Sequence, residues 1–101
     1  MTESVVETKV NNKIKIKEPN KFNVIMLNDN VTPYNFVIEL LVTIFDHDDN
    51  AATELTNAIH NSGSAIVGTY NFEIAEQKGI EATRISRKNK YPLKIKLEEN
   101  V

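Results

Sequence analysis

The sequence has no cysteine and only three glycines in 101 residues. Without cysteine there is no disulfide framework, no thiolate nucleophile and no thiolate metal site, which fits a cytoplasmic setting. Three glycines leave no phosphate-cradling loop, and the Gly-x-Ser-x-Gly nucleophile pattern is absent. No apolar run approaches the roughly 20 residues that cross a bilayer, so no membrane association is expected. The opening "MTESVVETKV" has an early glutamate and no apolar core, so no secretory signal is expected either. Positive charge is not in excess: twelve Lys and Arg face fourteen Asp and Glu, a formal charge of −2, which argues against a nucleic-acid partner.

What is present reads as one domain with a single modest core. Residues 1–20 are polar, carry both signs of charge and end at "KEPNK", where Pro19 interrupts regular structure. They read as a flexible N-terminal extension to a core domain at 21–101. The alternation "KIKIK" (Lys13 to Lys17) is compatible with an edge strand, but a solvated charged stretch is the preferred reading. Phe22 to Leu27 forms a short apolar strand, and Asn28-Asp29-Asn30 is turn chemistry.

Thr32 then stands where a helix N-cap is expected, with Pro33 at the first helical position. That helix places Phe36, Val37, Leu40, Leu41 and Ile44 on one apolar face and stops in the acidic turn "DHDDN". Asp48 or Asp49 caps a second helix with the stripe Ala51, Ala52, Leu55, Ala58 and Ile59, and Gly63 supplies a left-handed exit. Ser64 to Val67 is a strand closed by Gly68. Asn71 caps a third helix containing Ile74, Ala75, Ala82 and Ile85, in which Gly79 costs about 1 kcal/mol relative to alanine. Its basic last turn, "RISRKNK", suits the negative end of the helix dipole. Leu93, Ile95 and Leu97 alternate with lysines as a last strand. The order β-α-α-β-α-β implies an α+β fold, a three-stranded antiparallel sheet covered on one face by three helices.

The residues offer little catalytic chemistry. His47 with Asp46, Asp48 and Asp49 matches no metal motif and reads as a solvated, cap-rich turn, so no metal and no cofactor are expected. His60, one residue after Ile59, is expected at the border of the core. No nucleophile or paired carboxylate stands out, and an enzyme is not expected. The Asn28-Asp29-Asn30 turn has two readings: a plain β-to-α connection, or exposed acceptors suited to a protonated amine.

The blocks "LNDNVTPYNFVIELL", "AIHNSGSAIVG", "EIAEQKG" and "YPLKIKLE" occur in that order. Together, over about residues 21–98, they resemble the ClpS adaptor family, with its pattern Asn-Asp-Asp-x-Thr-Pro-x-x-Phe-Val followed by His-x-x-Gly and Ala-x-x-Gly. The resemblance implies an adaptor that binds proteins bearing Leu, Phe, Tyr or Trp at the N-terminus. Such an adaptor delivers them to a Clp AAA+ unfoldase of the ClpA or ClpC type. It implies that Asn28, Asn30 and His60 surround the substrate's α-amino group, with Asp29 adding charge beside it. Met26, Thr32, Tyr34, Val37, Leu40, Thr56, Ile59 and Leu93 would line the side-chain pocket. Glu73, Glu76 and Lys78 would face the N-terminal domain of the unfoldase, and a monomer is expected.

The chain departs from the family pattern at three of these positions. Asn30 stands where a second aspartate is usual, and Tyr34 and Thr56 stand where methionine is common. These departures keep open a ClpS-like regulator that has weakened or lost terminal-residue recognition. A second alternative, a small ribosome-associated interaction domain, follows from the resemblance of the family's core to the C-terminal domain of the ribosomal stalk protein.

Overall fold

The computed structural model describes residues 20–101. The expected extension and its "KIKIK" stretch lie outside the described residues, apart from Asn20. Six elements follow in order: β1 (Lys21–Leu27), α1 (Tyr34–Thr43), α2 (Asp49–Ser62), β2 (Ser64–Tyr70), α3 (Phe72–Lys88) and β3 (Lys94–Asn100). The sheet order is β2-β1-β3, with β1 antiparallel to both neighbours. The α+β arrangement expected from periodicity is the one observed.

β1, the central strand, is the most buried of the three, with Val24, Ile25 and Met26 buried in succession. Val24 and Met26 are fully buried and meet Val67 of β2 and Leu40, Leu41 and Ile44 from the first helix and its C-cap. α3 lies across the sheet on a ridge of small residues, Ala75, Gly79, Ala82 and Ser86, all buried. Small side chains let the helix approach closely, and the Ser86 hydroxyl is satisfied by donating to Ala82 O at 2.8 Å. Ile74, one of the apolar residues read in this helix, flanks this ridge and is 40% exposed. The face turned to the sheet is chosen by size as well as by hydrophobicity.

Caps define most boundaries. Asp48 accepts from Ala51 N at 2.8 Å, and Asn71 accepts from Ile74 N at 3.2 Å. Gly63 leaves α2 at φ 92°. Two expectations are corrected. α1 begins at Tyr34 with Pro33 as its N-cap, and Thr32 caps nothing because its hydroxyl donates to Asp29. β2 does not close at Gly68 but runs to Tyr70, past a register shift opposite Val24 and Ile25. Gly68 belongs inside the strand because the Tyr70 ring lies over it where a Cβ would stand.

Candidate functional site

The turn from β1 to α1 is organised by one carboxylate. Asp29 Oδ1 accepts from Val31 N at 2.8 Å and Thr32 N at 2.7 Å, and Oδ2 accepts from the Thr32 hydroxyl at 2.7 Å. Pro33 has no N–H to satisfy, so the side chain of Asp29 serves the donors ahead of α1 as a capping residue would. The other side of the turn is held by Asn28 N, which donates to Gly63 O at 2.8 Å and joins the end of α2 to the start of the turn. Burial raises the Asp29 pKa, but the hydrogen bonds from Thr32 and Val31 and the charge of Arg87 outweigh it. The carboxyl sits below its ordinary value and is ionised at neutral pH.

This turn forms one rim of a cavity of about 300 Å³ between α1 and α2. Asn28, Asp29, Asn30 and His60 supply polar atoms to it, while Val37, Thr56 and Ile59 form apolar walls. Thr56 is 3% exposed, and its hydroxyl is spent on Ala52 O at 2.8 Å, so the cavity meets its apolar atoms. Tyr34 stands at the mouth, 44% exposed, and its hydroxyl donates to Asn57 Oδ1 at 2.7 Å. That bond bridges α1 and α2. His60 is exposed on the last turn of α2 rather than at the border of the core.

Nine of the twelve residues named for the amine and side-chain sites line this cavity. Met26, Leu40 and Leu93, named as walls, lie in the core at 0–2% exposure and are not part of its lining. Met26 lies near the end of the central strand β1, on the core cluster that includes Leu40, Leu41 and Ile44. Leu93 stands one residue before β3 instead of inside it. It is held by Arg87, whose guanidinium donates to Tyr91 O at 3.0 Å and Leu93 O at 2.7 Å. Sequence reasoning did not find Asn57 or this use of Arg87. Asn57 is an exposed helix position with no motif, and Arg87 read as one more charge at a helix end.

The residues named for the unfoldase interface lie together on α3, outside the cavity lining. Glu73 and Glu76 are exposed on α3. Lys78 is turned inward: its ammonium donates to Ile44 O at 2.6 Å and lies 3.5 Å from Asp46 Oδ2. The acidic turn is equally committed. His47 Nε2 donates to Val67 O at 2.6 Å, since a carbonyl only accepts, and Asp48 is the cap of α2. The His47 ring is therefore a brace to β2 and not a solvated group. Among the described residues no cluster of three His, Asp or Glu could hold a metal, and no helix is long and apolar enough to cross a membrane.

A larger groove of about 410 Å³ runs between α3 and β3, with Gly79, Ile80, Ile95 and Leu97 in its lining. Its charged groups are Glu76 and Arg84, and acceptors do not converge there as they do between α1 and α2. The α1–α2 cavity is the better candidate for specific recognition.

Comparison with known proteins shows the family. Residues 17–96 match the family described as ATP-dependent Clp protease adaptor protein ClpS. The chain belongs to the ClpS family. The ATP-dependent Clp protease adapter protein ClpS of Shewanella pealeana is 40% identical over 98 residues, covering 97% of this chain and 96% of that protein. The Vibrio atlanticus protein of the same description is 44% identical over 85 residues, 84% of this chain and 80% of its own length. A solved structure, Agrobacterium tumefaciens ClpS2 bound to L-phenylalaninamide, superposes with a TM-score of 0.80 at 31% identity. It covers 82% of this chain and 100% of that one. As a ClpS family member the chain is an adaptor of the Clp protease.

Proposed function

We propose that the chain recognises proteins by a free N-terminal residue with a bulky hydrophobic side chain and delivers them to a Clp AAA+ unfoldase. The observation that carries this reading is the union, in one cavity, of polar acceptors on the rim and apolar walls within. An α-ammonium has three donors and a positive charge, which Asn28, Asn30 and His60 can meet with Asp29 ionised nearby. Internal residues lack that group. The side chain of the first residue enters between Val37, Thr56 and Ile59, and its burial contributes about 1.5–3 kcal/mol. A cavity of about 300 Å³ lies at the small end of ligand pockets, matched to one side chain and not to a folded epitope. The bound L-phenylalaninamide of the Agrobacterium relative, with a free amine and a benzyl side chain, has the same two features.

Glu73 and Glu76, exposed on α3, are the proposed contacts with the unfoldase's N-terminal domain. Lys78, named with them, donates to Ile44 O and keeps 21% of its side chain exposed, so it stays in the proposed contact set beside its role in the fold. Charge reversal at Glu73 is expected to weaken binding to that domain while leaving peptide binding intact.

The test of recognition is fluorescence anisotropy with labelled peptides beginning with Leu, Phe, Tyr, Trp, Val or Met, with and without N-acetylation, against wild type and His60→Ala. Binding to free bulky termini, lost on acetylation and in His60→Ala, is expected. A folded sample that binds none of them defeats the reading. It would favour a regulator of the unfoldase without terminal-residue recognition, a reading for which the Tyr34–Asn57 bond across the mouth is the specific observation.

A further inference from the structure

The first helix carries one wall of the cavity and is fixed mainly by apolar packing, with Val37, Leu40 and Leu41 buried in the core and α2 alongside. No basic residue stands in its last turn to meet its C-terminal carbonyls. Lys78 of α3 supplies that missing cation from another element. Its ammonium donates to the carbonyl of Ile44, the C-cap of α1, at 2.6 Å. It lies 3.5 Å from Asp46, the left-handed residue (φ 63°) at which the chain turns away from α1. It also stands 5.4 Å from the Tyr70 ring centroid, and the side chain is 21% exposed. At the opposite end of α1, Phe36 meets Tyr91 edge to face at 4.8 Å, so the segment after α3 holds that end as well. α1 is thus tied at both ends to the α3 region, and the polar tie is Lys78.

We propose that Lys78 is a positioning residue for the recognition site, fixing the C-terminal end of α1 to α3 and thereby setting Val37 and Tyr34 against α2. This rests on the terminal-residue reading above for its effect on affinity, but its effect on α1 stands apart from that reading. An ammonium held by a helix-end carbonyl, a carboxylate and an aromatic face has three partners in fixed directions, which a solvated surface lysine does not. Losing it frees the last turn of α1, and the pocket wall loses its fixed separation from Thr56 and Ile59. Preorganised walls bind more tightly because less ordering remains to be done on binding.

The experiment compares wild type, Lys78→Met and Lys78→Arg by three readouts: amide hydrogen exchange, urea unfolding and anisotropy with Leu- and Phe-initiated peptides. The Met variant keeps the aliphatic stem and removes the charge; the Arg variant keeps the donor. Expected in Lys78→Met is exchange at least about tenfold faster at residues 40–44, with β1 protection retained, and peptide affinity weaker by about threefold or more. Lys78→Arg is expected to restore both. Unchanged exchange in α1 overturns the proposal, and so does unchanged affinity in Lys78→Met when wild type binds. A uniform rise in exchange across the sheet also overturns it, because it assigns Lys78 to global stability alone. If Lys78→Met does not fold, Lys78→Gln takes its place: it removes the charge and ends one atom short of Ile44 O, so exchange at residues 40–44 must rise with β1 protection retained, and unchanged exchange there overturns the proposal. If wild type binds no peptide, the recognition reading fails, while faster exchange confined to α1 still supports the positioning role.

Discussion

Replacing Asp29 separates the two roles of its carboxylate, building the turn and supplying charge. In Asp29→Asn the amide oxygen has two lone pairs and can still accept from the Val31 and Thr32 amides, and the Thr32 hydroxyl can rotate to accept from the new NH₂. The turn survives at a cost of about 1 kcal/mol, the difference between charge-assisted and neutral bonds. In Asp29→Ala all three bonds go, and the loss is about 1–2 kcal/mol, as for a missing helix cap. A charge near a solvent-accessible ammonium is worth about 0.5–1 kcal/mol, so Asp29→Asn should weaken free-amine peptides about two- to fivefold. That difference should shrink at high salt. Asp29→Ala should cost about tenfold or more, because Asn28 and Asn30 lose their placement with the turn. Anisotropy at low and high salt and urea melts measure both effects. Equal affinities for wild type and Asp29→Ala would refute the reasoning, and a salt-independent loss in Asp29→Asn would refute the role of charge. The pH dependence has a fixed sign. A carboxyl whose folded pKa lies below its unfolded value stabilises above that unfolded value, about 3.9, and the stabilisation fades as pH falls through the folded pKa. The stability gap between wild type and Asp29→Asn should close below about pH 4.

Three other substitutions test the fold and the pocket. Gly79→Ala should stabilise by about 1 kcal/mol, since a Cβ there meets Ile95 Cγ2 at 3.6 Å and Leu97 Cδ2 at 3.9 Å, ordinary contact distances, and the helix gains propensity. A fall in the urea midpoint would contradict this. Gly68→Ala should destabilise by about 1–3 kcal/mol by driving the Tyr70 ring off the strand and away from Lys78, read by urea unfolding. Thr56→Met should shift the ranking among Leu, Phe and Trp peptides by filling the wall beside Ile59. An unchanged ranking in a folded variant would show that Thr56 does not set the pocket's width.

The sequence alone determined the element order and most of the boundaries, because those depend on local chemistry. Asp48, Gly63 and Asn71 act within a few residues of themselves, and the apolar run of β1 and the alternation of β3 need no knowledge of neighbours. Family resemblance drew Asn28, Asn30, His60 and Thr56 into one site that composition could not assemble. Tertiary structure decided the rest. Whether Thr32 capped α1 depended on competition from Asp29 for its hydroxyl, and whether Gly68 ended β2 depended on where the Tyr70 ring settled. Met26 read as a possible wall and proved to be core, since the helix packing that covers one face of a strand has no signature in that strand. The fate of Lys78 was the least legible. A lysine on an amphipathic helix reads as a solvated charge unless the chain brings an unpaired helix-end carbonyl to it, and Ile44 stands 34 residues away.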